Sequence, residues 1–291
     1  MHIFVNLKQI NMLKKALLIV FIIGCIPNSF AQKIEKIKGN RNVTSKQTSI
    51  SSFNRITVGE DFKIDIIEGN EASVFIETDD NLHEIIKFNV IDSTLSFKTL
   101  KKITTKKELS IKVIYTNELK QIETFEDGEI SSLTSIDLNS VILKNTGDSK
   151  AFLNIKTKHF TFINSDRAKV KLNVTANMAN LELAENSKVD ALINADTLKV
   201  DLYQRSDAKL EGNLKHLKIR ADNSTKFVGK ELTTVTCELL CEGSSDVTVQ
   251  VTDNLIIDAT GSGQIYIYHD PKITLNKFAD NAKLHKKELN K

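Results

Sequence analysis

The chain is poor in several things that usually announce a function. It has no tryptophan, two prolines and three cysteines in 291 residues, and aromatic residues make up 6%. Three cysteines cannot build the disulfide framework of a small secreted scaffold. One of them, Cys25, lies near the start; the other two stand in Val235-Thr-Cys237-Glu-Leu-Leu-Cys241. On one strand Cys237 and Cys241 share a face and stand about 13 Å apart. A disulfide needs Cα atoms within about 7 Å, so they are expected as two buried thiols acting as small apolar side chains. No histidine lies near them in sequence to complete a metal site.

An excess of charge is missing too. Without the first 31 residues, which carry Lys8, Lys14 and Lys15 and no acid, basic and acidic residues balance at 37 each. That balance excludes the electrostatic footprint of a nucleic-acid binder, and no nucleic-acid partner is expected. Lys101-Lys102 and Lys106-Lys107 are short runs of a solvated loop. Hydrophobic residues at 41% exclude wholesale disorder.

No apolar run is long enough to span a bilayer. The longest, Ala16 to Ile23, follows Lys14-Lys15 and precedes Pro27-Asn28-Ser29-Phe30-Ala31. Charged, apolar and small-x-small segments in that order form a secretory signal, expected over residues 1–31 with cleavage after Ala31. Translation from Met12 instead of Met1 gives a more compact charged region. Ile22-Ile23-Gly24-Cys25 offers a second reading, in which Cys25 is lipid-modified and anchors the chain to a membrane. Either way the protein is exported, to the periplasm, the outer-membrane surface or the medium.

Beyond the signal, residues 32–52 are rich in Ser, Thr, Asn and Lys and are expected as a polar tether. Residues 53–124 show alternating apolar positions broken by turn residues, an N-terminal β portion. Asp79-Asp80 there offers a cap for one short helix bearing Leu82, Ile85 and Ile86.

Over 125–276 the pattern repeats. An alternating segment, a turn rich in Asn, Ser, Asp and Gly, a polar residue and a second alternating segment recur seven times. The apolar residues expected to open the second segments are Ala151, Val170, Val189, Leu210, Phe227, Val247 and Ile265, a period near twenty. Such a period signals a stacked solenoid, because one rung cannot bury its apolar face alone. Leu214-Lys-His-Leu217-Lys-Ile219-Arg-Ala-Asp-Asn223 matches part of a leucine-rich repeat. However, return segments such as Val170-Lys-Leu-Asn-Val174 have period two and favour strands. The expectation is an all-β chain: a β-solenoid of about twenty-residue turns, preceded by the N-terminal β portion with its short helix. The last segment, 277–291, is a basic tail, expected as a short amphipathic cap or a frayed end.

Familiar signatures now stand in the sequence: Phe53-Asn-Arg-Ile56-Thr-Val58-Gly59, Phe62-Lys-Ile-Asp-Ile66 with Glu68-Gly69, Val74-Phe-Ile-Glu-Thr-Asp-Asp-Asn-Leu82 and Gly261-Ser262-Gly263-Gln264-Ile265. In these the chain resembles the exported Bacteroidetes-type family of putative auto-transporter adhesin head domains, the head GIN or DUF2807 domains, over roughly 53–275. The resemblance implies a right-handed, β-helix-like fold and no particular activity. In that family Gly-Ser-Gly recurs in several turns, often before an acid. Here most turns carry Asn-Ser or Asp-Ser, and position 264 is Gln.

No motif specifies an enzyme. His83, His159, His216, His269 and His285 lie in no nucleophile elbow, and no HExxH or phosphate loop occurs. The turn acids Asp148, Asp166, Asp207, Asp222 and Asp246 would bind calcium only if they stacked into one ladder. Lys150, Lys169, Lys188, Lys209 and Lys226, at the polar site before each second strand, make a mixed-charge solubilising edge instead. Gly261 and Gly263 are expected to serve a tight corner. No catalytic, cofactor or metal residue is assigned, and no cofactor is expected. The function expected is a non-enzymatic surface module for binding, adhesion or scaffolding, with a glycan, another surface protein or its own copies as partner. The alternative is a polysaccharide lyase or hydrolase on the same scaffold.

Overall fold

The computed structural model describes residues 35–288. The signal segment, its cleavage site and Cys25 lie outside the described residues. Residues 37–288 form one compact unit, a β-solenoid of about nine turns spaced by about 19 residues.

Each rung is two arms of strand joined by a bend and closed by a four-residue turn. In the strand Lys150–Asn164 buried and exposed positions alternate until Lys158 and His159, which are exposed in succession; alternation then resumes to Asn164. That doublet is the bend: it flips the pleat so that both arms aim alternate residues into one core. Lys169–Leu183 repeats the pattern with Asn177 and Met178 at the bend.

Parallel in-register pairing stacks like on like. Ala151, Val170, Val189, Ala208, Phe227, Val247 and Ile265 form one inward column. Val141, Phe160, Ala179, Leu198, Leu217, Cys237 and Leu255 form another on the second arm. All are almost fully buried in one continuous core. Each Val, Leu, Ile or Phe in these columns is worth about 1.5–3 kcal/mol on burial, so every added rung extends the core.

The column corrects the expected register at one point. Ala208, not Leu210, faces Val189, and Asp207, not Lys209, faces Lys188. Leu210 is one inward position further along, against Ala191. A slip of two residues keeps a side chain on the same face of a strand, and Leu210 outweighs Ala208 in hydrophobicity. With Ala208 in place the first four steps are each nineteen residues.

The repeat also starts earlier than residue 125. Arg55–Val58 and Lys63–Glu68 already form a rung: Ile56 faces Ile122, and Ile64 faces Ile130. Outside that rung lie Thr94–Thr99, with Leu95 on Ile56, and Leu109–Tyr115, with Ile111 on Ile64. Antiparallel strands then close this end, Ser73–Asp79 on Leu109–Tyr115 and Ile86–Ile91 on Thr94–Thr99.

Three further expectations change here. Val43–Ser49, expected within a tether, is a strand paired antiparallel with Ser73–Asp79. Its polar composition hides it because it meets the sheet mainly through backbone hydrogen bonds, leaving three successive side chains exposed. The short helix is a single 3-10 turn, Asp80–Leu82, with Leu82 buried. Asp79 caps nothing there; its buried carboxylate accepts the Lys107 amide at 3.1 Å. At the other end Lys272–Phe278 pairs with Asp246–Ala259, and Lys283–Lys286 with Gln264–Tyr268. The tail therefore contributes to a last rung instead of a helix.

Candidate binding surface

The turns form a column of ten, from Gly59-Glu60-Asp61-Phe62 to residues 279–282. The second residue of each is left-handed: Glu60, Glu126, Gly147, Asp166, Glu185, Gln204, Asn223, Gly243, Gly261 and Asp280 all have positive φ. In two turns the next residue, Arg205 or Ser224, is left-handed too. A left-handed residue without glycine costs about 1–2 kcal/mol, and hydrogen bonds between successive turns offset it. The Asp148 amide donates to the Glu126 carbonyl at 2.8 Å, Arg167 to Gly147 at 3.0 Å and Asn186 to Asp166 at 3.0 Å. In three places a left-handed acid also reaches back one turn. Glu126 accepts the Glu60 amide at 2.9 Å, Asp166 the Gly147 amide at 2.8 Å and Asp280 the Gly261 amide at 2.9 Å.

Gly261, Ser262 and Gly263 belong to this column. Gly261 holds φ +87°, and a Cβ there would stand 2.4 Å from the Gly243 carbonyl oxygen. The Ser262 amide donates to that same oxygen at 2.7 Å. A Cβ on Gly263 would stand 2.8 Å from both Cys241 Sγ and the Ser245 carbonyl oxygen. Earlier turns put Ser149, Ser187, Ser206, Thr225 and Ser245 at this fourth position, all buried. Their hydroxyls bond inside the column, as from Ser187 to the Asn164 carbonyl at 3.1 Å and from Thr225 to Ser245 at 3.1 Å. The serines at the fourth position thus face inward and stitch rungs together, while Ser224, Ser244 and Ser262 at the third position are exposed.

The turn acids do not form one ladder. Asp148, Asp166 and Asp222 take the third, second and first positions of their turns, while Asp207 and Asp246 open strands. Asp148 pairs with Arg167 at 2.5 Å. Glu185 sits beside Asp166, whose hydrogen bond and charge raise the Glu185 carboxyl above its ordinary range. Among the described residues no cluster of three or more His, Cys, Asp or Glu is arranged to hold a metal ion.

The outward faces carry ion pairs that run from rung to rung. Lys188 meets Asp207 at 3.2 Å, Lys156 meets Asp137 at 2.8 Å and Lys218 meets Glu238 at 3.0 Å, each at facing register positions. Glu129 lies between Lys63 and Lys150, at 3.4 and 3.8 Å. Single exposed pairs contribute little, about 0–1 kcal/mol, but they fix which charge each rung offers its neighbour.

Cys237 and Cys241 are buried and unbridged. Burial pushes the Cys237 thiol up, and the Cys241 thiol is pushed up to about 11 by burial and then by Asp246 and Glu242. Thiols held protonated are neither ligands nor nucleophiles. Val235 is exposed rather than facing the core with them, because the bend falls between Thr234 and Thr236. The ring of His83 meets Thr44, that of His216 meets Thr236 and that of His269 meets Gln250. His285 stacks on Tyr266 at 4.9 Å. No described helix is long and apolar enough to cross a membrane.

Comparison with known proteins gives a family. The sequence model of the putative auto-transporter adhesin, head GIN domain, family matches residues 52–271. A putative adhesin from Parabacteroides merdae superposes with a TM-score of 0.60 at 16% identity, covering 87% of this chain and 99% of that one. A putative adhesin from Parabacteroides distasonis gives 0.60 at 18%, covering 88% and 100%. A putative lipid binding protein from the same species gives 0.52 at 17%, covering 87% and 97%. At these identities the likeness is one of fold. No curated protein matches the chain.

Proposed function

We propose that this chain, which belongs to the head GIN domain family of putative auto-transporter adhesins, is an exported, non-enzymatic module that binds at the cell surface through its solenoid flanks. The observation that carries the reading is the stacking in register of outward side chains. Successive rungs present rows of exposed charged and polar groups about 4.8 Å apart, suited to an extended ligand that touches many rungs weakly instead of one pocket strongly. The adhesin names of the family and of the Parabacteroides proteins support the same reading. A glycan or another surface protein is the ligand class this arrangement fits.

The test has two arms. Intact mass of the processed protein should begin at Gln32, with the chain free in the periplasm or medium; a lipid-bearing Cys25 as first residue would make it a membrane-anchored module. Glycan arrays and surface-protein pull-downs with the purified protein should return ligands that release at high salt. Blank screens in both formats would remove the binding reading.

A further inference from the structure

The two ends of the solenoid are finished differently. At the N-terminal end the last strand on one arm, Ile86–Ile91, keeps its inward residues buried at Ile86 and half-buried at Phe88 and Val90, and Leu95, Ile111 and Val113 one strand further in are at most 1% exposed. At the C-terminal end Lys272–Phe278 pairs on one side with Asp246–Ala259, and no described strand pairs with its other edge. Its inward residues Ile273, Leu275 and Phe278 are 42%, 48% and 38% exposed. Leu255, Ile257 and Ala259, one rung below, are at most 1% exposed. This strand has a row of open backbone donors and acceptors and an uncovered apolar side, the two things an added strand needs.

The other half of the last rung is closed. In Lys283–Lys286, Lys286 takes the inward column above Ile267. Its ammonium meets the Asp270 carboxylate and the His269 carbonyl. An inward charge is a device that blocks edge pairing. The opening is therefore one strand wide.

Charge says what fits it. Opposite charges face each other between many rungs, as at Lys63, Glu129 and Lys150 and at Lys188, Asp207, Lys226 and Asp246, although Lys150, Lys169 and Lys188 stack like on like between those two runs. Lys277 stands above Asp258, and Lys272 above Asn254; above the two lysines no described residue follows. A second copy of the same edge would bring lysines to lysines. Stacked head to tail, a copy would offer Val43–Ser49 or Ile86–Ile91, neither of which carries an acid to meet the two lysines. We propose that the free edge of Lys272–Phe278 is a docking site for one extended β-strand of a different polypeptide, with apolar residues against Ile273, Leu275 and Phe278 and acids opposite Lys272 and Lys277. The site stands whether or not the flanks bind a glycan.

The test uses the full chain and a labelled synthetic nonapeptide that alternates valine and threonine, with glutamates at the two positions facing the lysines. Fluorescence anisotropy should show binding, and amide exchange should slow within 272–278. A peptide with lysines in place of the glutamates should bind about tenfold more weakly, as two exposed ion pairs allow. The double variant Lys272→Glu/Lys277→Glu, changed only at exposed positions, should reverse that preference, and Leu275→Asp should abolish both. Equal affinity for the two peptides, or no binding of either, would overturn the proposal, and no binding would leave the lysines as guards of the edge. A dimer by light scattering that Leu275→Asp dissociates would overturn it in favour of self-association.

Discussion

The ammonium of Lys188 lies 3.2 Å from the carboxylate of Asp207, nineteen residues later on the next rung. One residue further along each strand, Val189 faces Ala208 inside the core. A charge pair and an apolar contact thus sit side by side on one register, and they predict opposite sensitivities.

Lys188→Asp loses an exposed pair and sets two acids together, a cost of about 1 kcal/mol or less. Val189→Asp buries a carboxylate with no cation in reach at a position 2% exposed, and costs several kcal/mol. Thermal denaturation should show a shift of a few degrees at most for the first and loss of the cooperative transition for the second. Equal melting temperatures would mean that the register is wrong.

At Gly261 two penalties coincide: a left-handed backbone, and a Cβ 2.4 Å from the Gly243 carbonyl oxygen. Gly261→Val should destabilise by more than the 1–2 kcal/mol of left-handed strain alone. Glu185→Gly, at an equally left-handed position without that role for glycine, should be neutral or stabilising. Denaturant titration of the two variants checks the order.

Asn164 is buried, and its side-chain amide donates to the Ala168 and Lys188 carbonyls at 3.4 and 3.2 Å while its own oxygen has no partner. Leu183 and Leu202 continue the same column on the next rungs. An unpaired buried polar atom costs about 1–3 kcal/mol. Asn164→Leu should therefore raise the melting temperature, and a fall would show that the two amide bonds outweigh the orphaned oxygen.

The buried thiols give a pH dependence. A group whose pKa is raised by folding adds stability below its unfolded pKa and loses it as pH climbs through the folded value. For Cys241 that window runs from about 8.5 to about 11, and the loss is on the order of 3 kcal/mol. Cys237, raised in the same direction, adds to it. Stability should decline above about pH 8.5, and the decline should be shallower in Cys237→Ala/Cys241→Ala, even though its starting stability is lower. An unchanged slope would refute the assignment.

Much of this fold is legible in the sequence because stacking repeats its signals. Ala151, Val170 and Val189 announce the inward column, and the Ser- and Asn-bearing turns announce the corners. Legibility fails where a physical signal is ambiguous. Ala208 and Leu210 lie on the same strand face, so alternation alone cannot choose between them. Val43–Ser49 is polar because it contributes backbone pairing more than core. Ile56, Ile122 and Leu143 stack in space, yet 66 residues separate the first two, and no local period reports that. Of the candidate surface, Gly261 and the thiols were visible by residue type. The inward role of Lys286 was not, since it depends on which column a lysine of the basic tail occupies.

The nineteen-residue step has an evolutionary consequence. Removing residues 170–188 would set Val189 on Ala151 and leave every other pairing intact; duplicating them would add one strand spacing, about 4.8 Å. Neither change touches the closed end or the open one. Unequal recombination between neighbouring repeats can therefore lengthen or shorten the protein like a ruler, adjusting its reach independently of what its two ends do.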